Sequence, residues 1–227
     1  MFVLQKARLL EKKCWNCNTV IGEPFCTSCE RIQLLDLSTN YFSFFNLPIK
    51  FHLDLDKLES KFYELSRRFH PDFFSQASET ERRYSTEQTS MLNDAYRNLK
   101  DPIKRAKYLL ILQGIKTEQK AKTPPDLLAE IFELNEQIEE LRDAKNSKNN
   151  SQITILQTQV LETEKMLKER AKELNSQLNK SFSQWDNLLD SVSIEEKQKI
   201  LSQANDILSQ MKYINNLLDD IAEEFDQ

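Results

Sequence analysis

Glycine is almost missing from this chain, which has two glycines in 227 residues. Tight hairpins, phosphate-binding loops and dinucleotide-binding motifs rely on glycine, because its backbone adopts positive φ without steric cost. The chain is 39% hydrophobic and 30% charged, which is ordinary for one or two globular domains. The composition therefore predicts an all-α protein.

Charge is distributed unevenly along the chain. Residues 1–35 contain five basic and three acidic residues, and residues 36–114 contain twelve basic and eleven acidic residues. Residues 115–227 contain fourteen basic and twenty-two acidic residues. Nucleic acids and anionic membranes need a concentrated positive surface, which an acidic C-terminal half does not provide. We therefore expect protein partners, with no nucleic acid and no membrane. The N-terminal stretch also lacks the apolar core of a secretory signal.

All four cysteines lie within sixteen residues, as two C-x-x-C pairs. The pairs are Cys14 with Cys17 and Cys26 with Cys29. A short connection containing Gly22 and Pro24 joins them, and this spacing is typical of a tetrahedral four-thiolate zinc site. Sulfur would fill every ligand position, so the zinc is predicted to be structural. Two disulfides are the alternative, and they require an oxidising compartment.

Two amphipathic helices are predicted in the middle of the chain. Apolar residues recur at spacings of three and four over 55–69, and a second helical run ends before Pro102. Asp54 is a suitable N-cap for the first helix, and Ser78 with Glu81 forms a capping-box pattern for the second. Four basic residues lie off the apolar face of the first helix: Lys57, Lys61, Arg67 and Arg68.

The tripeptide His70-Pro71-Asp72 is expected in an exposed loop between these helices, because a residue before proline is disfavoured in helical conformation. A catalytic role for this histidine is unsupported, since the cysteines are committed to the metal and no serine has a nucleophile-elbow context. His52, the other histidine, is isolated and is expected to be a structural or surface residue. The sequence therefore predicts no enzyme active site.

Three heptad-like apolar stripes follow residue 115, within 127–141, 153–189 and 200–225. Stripes of this kind joined by short loops predict an antiparallel three-helix bundle. A homodimeric coiled coil is the alternative, because heptads do not by themselves determine the number of strands.

The central segment resembles a J-domain. The resemblance rests on HPD, the basic helix before it and "LNDAYRNLKDPIKRAKYLL" after it. It implies that the loop docks on a DnaK-type ATPase chaperone and triggers ATP hydrolysis there. The implied chaperone-binding residues are His70, Pro71 and Asp72, with Lys61, Arg67 and Arg68 of the preceding helix.

The C-terminal part resembles the HscB-type co-chaperones of iron-sulfur cluster assembly, through "RAKYLLILQGI", "LLAEIFELNEQIEEL" and "MKYINNL". With the tetracysteine segment, the chain is similar to the eukaryotic mitochondrial form, which implies the mitochondrial matrix, with the cytosol left open. The resemblance implies binding of an IscU-type scaffold protein through seven residues: Leu128, Ala129, Phe132, Glu133, Glu136, Glu140 and Tyr213. Phe132 has an alternative interpretation as a core residue of a wide apolar stripe.

These observations predict three parts: a tetracysteine zinc-binding module at 1–35, a J-domain at 36–114 and a scaffold-binding three-helix bundle at 115–227. The expected function is that of a J-domain co-chaperone that binds the scaffold, stimulates the chaperone ATPase and so promotes cluster transfer. Two other functions stay open, a zinc-ribbon coiled-coil nucleic-acid-binding protein and a general J-protein for unfolded clients. Homodimerisation also stays open.

Overall fold

The computed structural model of the chain describes residues 12–21, 24–36, 38–115, 125–188 and 194–225. The predicted features at the N-terminal stretch, Gly22 and Leu189 lie outside these residues. The described parts contain seven α-helices and no strand beyond two isolated bridges, which confirms the all-α prediction. The helices are α1 (Tyr41–Phe44), α2 (Leu55–Phe69), α3 (Glu79–Lys100), α4 (Pro102–Leu112), α5 (Pro125–Asn146), α6 (Asn150–Asp186) and α7 (Ile194–Phe225).

The chain divides into two compact units. The first comprises Met1–Ile49 and Leu53–Lys104, and the second comprises Lys50–His52 and Arg105–Gln227. None of the described helices is both long and apolar enough to cross a membrane.

In the first unit, α2 and α3 form an antiparallel hairpin. Both predicted caps are confirmed: Asp54 accepts from the Lys57 amide, and Ser78 and Glu81 form a capping box. The ring of Phe62 on α2 stacks on Tyr96 of α3 at 4.1 Å between ring centres. Fully buried side chains of both helices form the core of the hairpin: Leu58, Phe69, Leu92, Ala95 and Leu99. Burial of this apolar area is the main stabilising contribution to the hairpin.

Glycine is favoured at one described position, two residues after the end of α4. Gly114 has φ +76, and its amide bonds to the Ile111 carbonyl at 3.0 Å, while the Ile115 amide bonds to the Leu110 carbonyl at 2.9 Å. Glycine adopts this left-handed conformation without a Cβ penalty and so ends the helix.

In the second unit, α5 and α7 both run antiparallel to α6. Gln137 of α5 contacts Thr163 of α6, and Glu130 of α5 contacts Arg170 of α6. The predicted stripes supply most of the buried apolar residues of the three helices: Leu134, Ile138 and Leu141, then Leu156, Val160, Leu167, Leu174, Leu178 and Phe182, then Ala204, Ile207, Met211, Ile214 and Ile221. Because the stripes pack within one chain, the predicted three-helix bundle is confirmed.

The short segment Lys50–His52 packs at the end of α6. Phe51 stacks on Phe182 at 4.4 Å, and the Asp186 carboxylate accepts the backbone amides of Phe51 and His52, each at 2.8 Å. The His52 ring lies 2.8 Å from the same carboxylate through Nδ1. His52 therefore has a structural role.

Candidate functional site

The HPD tripeptide lies in the connection between α2 and α3 (residues 70–78), which we call the chaperone loop after the binding role predicted for it. Helix α2 ends at Phe69, because His70 adopts an extended ψ of 125 before Pro71. The Phe69 carbonyl accepts hydrogen bonds from the hydroxyls of Ser85 and Thr89 on α3, at 2.6 and 3.0 Å. One feature was not predicted: Pro71–Phe74 forms a 3₁₀ turn, for which proline at its first position has a suitable φ.

Within the chaperone loop, Asp72 is the most accessible charged group, since its side chain is 87% exposed. Its backbone amide donates to Nδ1 of His70 at 3.3 Å, and its carboxylate lies 3.6 Å from that nitrogen. The loop thus presents a carboxylate and an imidazole next to each other.

The basic residues of α2 differ in their surroundings. Arg67 is exposed, and the Arg68 guanidinium lies 4.5 Å from the centre of the Phe25 ring. The Lys61 ammonium instead donates to the Phe45 carbonyl at 2.7 Å. The two arginines therefore provide the positive surface beside the loop, while Lys61 also serves an internal hydrogen bond.

Phe73 is an exposed residue of the loop that the sequence reasoning missed. Its side chain is 74% exposed, and its ring makes an edge contact with His70 at 6.1 Å. The two adjacent phenylalanines at 73 and 74 could have indicated it, because consecutive side chains in a tight turn point in different directions and rarely both become buried. An exposed aromatic beside a charged tripeptide is typical of a binding surface.

The residues predicted to bind the scaffold are all exposed on the second unit, and we call them the scaffold face. They are Leu128, Ala129, Phe132, Glu133, Glu136 and Glu140 on α5, with Tyr213 on α7. Phe132 is 71% exposed, so its alternative interpretation as a core residue is wrong. Two exposed acidic residues, Glu133 and Glu136, follow it at spacings of one and four residues on α5, so negative charge lies on the same part of the helix as the apolar ring.

The register between α5 and α7 follows from their ion pairs. Arg142 and Lys145 of α5 both contact Glu224 of α7, which is 82 and 79 residues further along the chain. Both helices run antiparallel to α6 and are therefore parallel to each other. The same offset of 79 to 82 residues places residue 132 of α5 level with a residue near 213 of α7. The helices thus place Phe132 and Tyr213 at one level of the bundle.

The four cysteine sulfurs lie within 4.8 Å of one another. The Sγ atoms of Cys14 and Cys29 are 3.6 Å apart, as are those of Cys17 and Cys26. This spacing is too long for a disulfide, whose sulfurs lie about 2.05 Å apart. It is close to the separation of roughly 3.8 Å that tetrahedral ligation gives for Zn–S bonds of about 2.3 Å. The predicted cluster is confirmed, and its geometry suits a metal ion.

Each cysteine pair lies in a short loop closed by one isolated bridge, and we call residues 13–20 the first knuckle and residues 25–32 the second knuckle. The two repeat each other: the Asn18 amide bonds to the Cys14 carbonyl at 3.0 Å, as the Glu30 amide does to the Cys26 carbonyl at 2.8 Å. Asn18 and Glu30 both have positive φ. This repeat turns both cysteine pairs toward one point.

Hydrogen bonds from backbone amides reach two of the sulfurs. The Asn16 amide donates to the Cys14 sulfur and the Ser28 amide to the Cys26 sulfur, each at 3.4 Å. Hydrogen bonds from the side chain and backbone of Thr19 lower the pKa of the Cys17 thiol to about 6. Since the thiolate is the form that binds metals, this position favours ligation at neutral pH.

The family described as HSCB C-terminal oligomerisation domain matches residues 123–222. Over 212 residues the chain is 32% identical to iron-sulfur cluster co-chaperone protein HscB of Mus musculus and 31% identical to that of Homo sapiens, covering 90% of this chain and 79% of each relative.

Solved structures show the same fold. The crystal structure of human co-chaperone protein HscB matches with a TM-score of 0.70 at 28% identity, over 94% of this chain and 98% of that chain. Chaperone HscB from Vibrio cholerae matches with a TM-score of 0.60 at 32% identity, over 83% and 99%. The resemblance inferred from the sequence is therefore confirmed. Since the similarity runs through both compact units, this chain belongs to the HscB family of J-domain co-chaperones of iron-sulfur cluster assembly.

Proposed function

We propose that this co-chaperone is an adaptor between two proteins. The chaperone loop docks on a DnaK-type ATPase chaperone and stimulates its ATP hydrolysis, while the scaffold face binds an IscU-type iron-sulfur scaffold. The observation that carries this proposal is the exposed Asp72 carboxylate, which a proline-containing turn holds between two packed helices. Stimulation of this kind presents the scaffold to the chaperone and so promotes cluster transfer.

On the chaperone side, His70, Pro71 and Asp72 act as a unit. Pro71 restricts the turn, and Asp72 accepts a charge-assisted hydrogen bond from a cation on the chaperone. Arg67 and Arg68, with Lys61 one helical turn or more behind them, attract an acidic surface and set the orientation of docking. Such contacts predict an association that weakens with salt.

On the scaffold side, Phe132 supplies the apolar contact. Leu128, Tyr213 and the small Ala129 extend it, and Glu133, Glu136 and Glu140 select a basic partner surface. An exposed aromatic surrounded by charged groups is typical of an interface hot spot. This acidic surface distinguishes the proposal from a general J-protein, which would need an apolar groove for unfolded clients.

The three-part division stays part of this proposal: a zinc module at 1–35, a J-domain at 36–114 and a scaffold-binding bundle at 115–227. Zinc bound by Cys14, Cys17, Cys26 and Cys29 supplies structural stabilisation, because four thiolates leave no position for a reacting water. The chain has no catalytic role of its own in this proposal. The mitochondrial matrix is the proposed location.

Two alternatives remain as outcomes of experiments. Nucleic-acid binding is disfavoured by the net charge of −5, and a salt-dependent gel-shift assay tests it. Homodimerisation has support from the matched family, whose description is that of an oligomerisation domain, and sedimentation over a range of concentrations tests it.

The ATPase activity of a DnaK-type chaperone tests the main proposal. We expect this protein to stimulate hydrolysis, IscU-type scaffold to increase the stimulation further, and His70→Gln to abolish it while the helical circular dichroism is unchanged. Stimulation that persists in His70→Gln would contradict the proposal. An unfolded peptide that competes with the scaffold would favour the general J-protein instead.

A further inference from the structure

The second knuckle contacts both ends of the chaperone loop within the first compact unit. At one end, Phe25 stacks on Phe69, the residue directly before His70, with ring centres 5.6 Å apart and planes 10° from parallel. At the other end, the Arg31 guanidinium donates to the Glu81 carboxylate at 2.6 Å, in the first turn of α3. The loop of residues 70–78 therefore lies between Phe69 and Glu81, and the second knuckle contacts both of these residues.

The Phe69 end is buried and fully bonded. Phe69 is 1% exposed, and its carbonyl already accepts two hydroxyl groups of α3. Phe25 covers the ring of Phe69 and also lies under the Arg68 guanidinium, 4.5 Å from it. A cation over an aromatic face is attracted by the ring quadrupole. Phe25 thus positions Arg68, a basic residue of the proposed chaperone surface.

The Glu81 end depends on one shared oxygen. Oε2 of Glu81 accepts from the amide and the hydroxyl of Ser78, at 3.2 and 2.8 Å, and also from Arg31. The carboxylate is buried, and the hydrogen bond from Arg31 is the largest influence that lowers its pKa. Arg31 therefore neutralises the Glu81 carboxylate. This carboxylate belongs to the capping box with Ser78, where the loop ends and α3 begins.

Between these ends, the loop is supported by backbone hydrogen bonds and by one from the Arg82 guanidinium of α3 to the Ala77 carbonyl at 2.9 Å. The 3₁₀ turn Pro71–Phe74 contains no buried residue, so burial does not restrain the orientation of His70 and Asp72. A turn that no buried side chain anchors gains conformational freedom when either end of its loop loosens, and ordering it on binding then costs affinity.

We propose that Phe25 and Arg31 of the second knuckle are positioning residues for the chaperone loop, so that this knuckle increases the affinity of the protein for its ATPase chaperone. The inference rests on the proposed function, because it assigns a purpose to contacts around the proposed docking loop. Neither residue touches the chaperone in this arrangement. They act through Arg68, Phe69 and Glu81.

The first knuckle provides a matched control. Lys13 occupies the bridge position that corresponds to Phe25 in the repeat, and it is exposed. Lys13→Ala alters the same module with no change at either end of the loop. Scaffold binding provides a second control, because it is proposed for the other compact unit.

The test uses the full, zinc-loaded chain with Phe25→Ala, Phe25→Leu, Arg31→Ala, Arg31→Lys and Lys13→Ala. ATPase activity of a DnaK-type chaperone is measured against co-chaperone concentration, and amide hydrogen exchange is measured over residues 70–78. We expect Phe25→Ala and Arg31→Ala to raise the half-saturating concentration about tenfold, an effect of about 1.4 kcal/mol, with the maximal rate retained. Exchange in the loop should accelerate, scaffold binding should be unchanged, and Arg31→Lys should recover part of the loss.

The inference would be overturned if the Phe25 and Arg31 variants keep their zinc and show the same half-saturating concentration and the same loop exchange as Lys13→Ala. If Phe25→Ala loses zinc, Phe25→Leu and the Arg31 variants decide, because Arg31 is a half-exposed surface residue outside the cysteine pairs. Persistent stimulation in His70→Gln would instead reject the proposed function itself. The two failures are therefore distinguishable.

Discussion

Arg142 on α5 donates from Nε to the carboxylate of Glu224 on α7 across 2.6 Å, and Lys145 donates to the same carboxylate at 2.9 Å. Glu224 is 2% exposed, so it is a buried anion that two cations satisfy. Burial opposes its ionisation, but the hydrogen bonds from Lys145 and Arg142 outweigh this effect and lower the pKa of Glu224. The pair links the ends of α5 and α7, which otherwise contact each other little.

We predict that this link makes the second unit sensitive to acid. A carboxyl group with a lowered pKa in the folded state contributes stability above its unfolded value of 4.5, and that stability is lost as the pH falls through the folded pKa. Glu224→Gln should lower the free energy of unfolding at pH 7 by about 1–3 kcal/mol. Its stability should also depend less on pH below 4.5 than that of the wild type. Thermal unfolding from pH 7 to 3 measures both effects, and the exposed neighbour in Glu223→Gln should behave as wild type.

Removal of the Asp72 charge should strongly reduce chaperone stimulation without loss of stability. The Asp72 side chain is 87% exposed, so Asp72→Asn should leave the melting temperature within about 1 °C, as is usual for surface substitutions. ATPase stimulation should fall at least about tenfold, because a charge-assisted contact at an interface is lost. Asp56→Asn, at another exposed carboxylate of the same unit, is the matched control. Equal losses in both variants would indicate a general charge effect.

Phe132→Ala should weaken scaffold binding by about 2 kcal/mol or more, as truncation of an aromatic hot spot does. The side chain is 71% exposed, so little core area is lost and the thermal stability should be retained. Isothermal titration with an IscU-type scaffold measures the affinity. Ile155→Ala removes a 60% exposed apolar side chain from α6 of the same unit and should bind normally. A large fall in melting temperature in Phe132→Ala would contradict the proposed role.

Replacement of one ligand, in Cys26→Ser, should release the metal and unfold the cysteine module. Zinc binding contributes on the order of 10 kcal/mol in small modules of this kind. The Trp15 indole donates to the Ile32 carbonyl at 2.8 Å, so its fluorescence should shift when the module unfolds. A Trp185→Phe background isolates this signal. Metal analysis should find one zinc per wild-type chain and none in Cys26→Ser, whereas Ser28→Ala should keep its zinc; a wild type without metal would reject the zinc assignment.

The sequence by itself determined the features that depend on near neighbours. Helix hydrogen bonds join residues four apart, so the apolar period, the caps at Asp54 and Ser78 and the stop before Pro71 indicated α2 and α3 correctly. The spacing of the cysteines likewise indicated their cluster. The residues of the scaffold face, in contrast, came from the resemblance to HscB-type co-chaperones, and the helical period only places those of α5 at spacings that share a face.

Tertiary structure alone decided the contacts between distant residues. Arg31 meets Glu81 fifty residues away, and Asp186 accepts the amide of Phe51 from 135 residues away. No local pattern indicates such pairs, because their distances depend on the packing register of whole helices. The exposure of Phe132 also depended on helix packing. The apolar stripe of α5 was compatible with either a buried or an exposed Phe132, and the way α5 packs on α6 leaves the ring exposed to solvent.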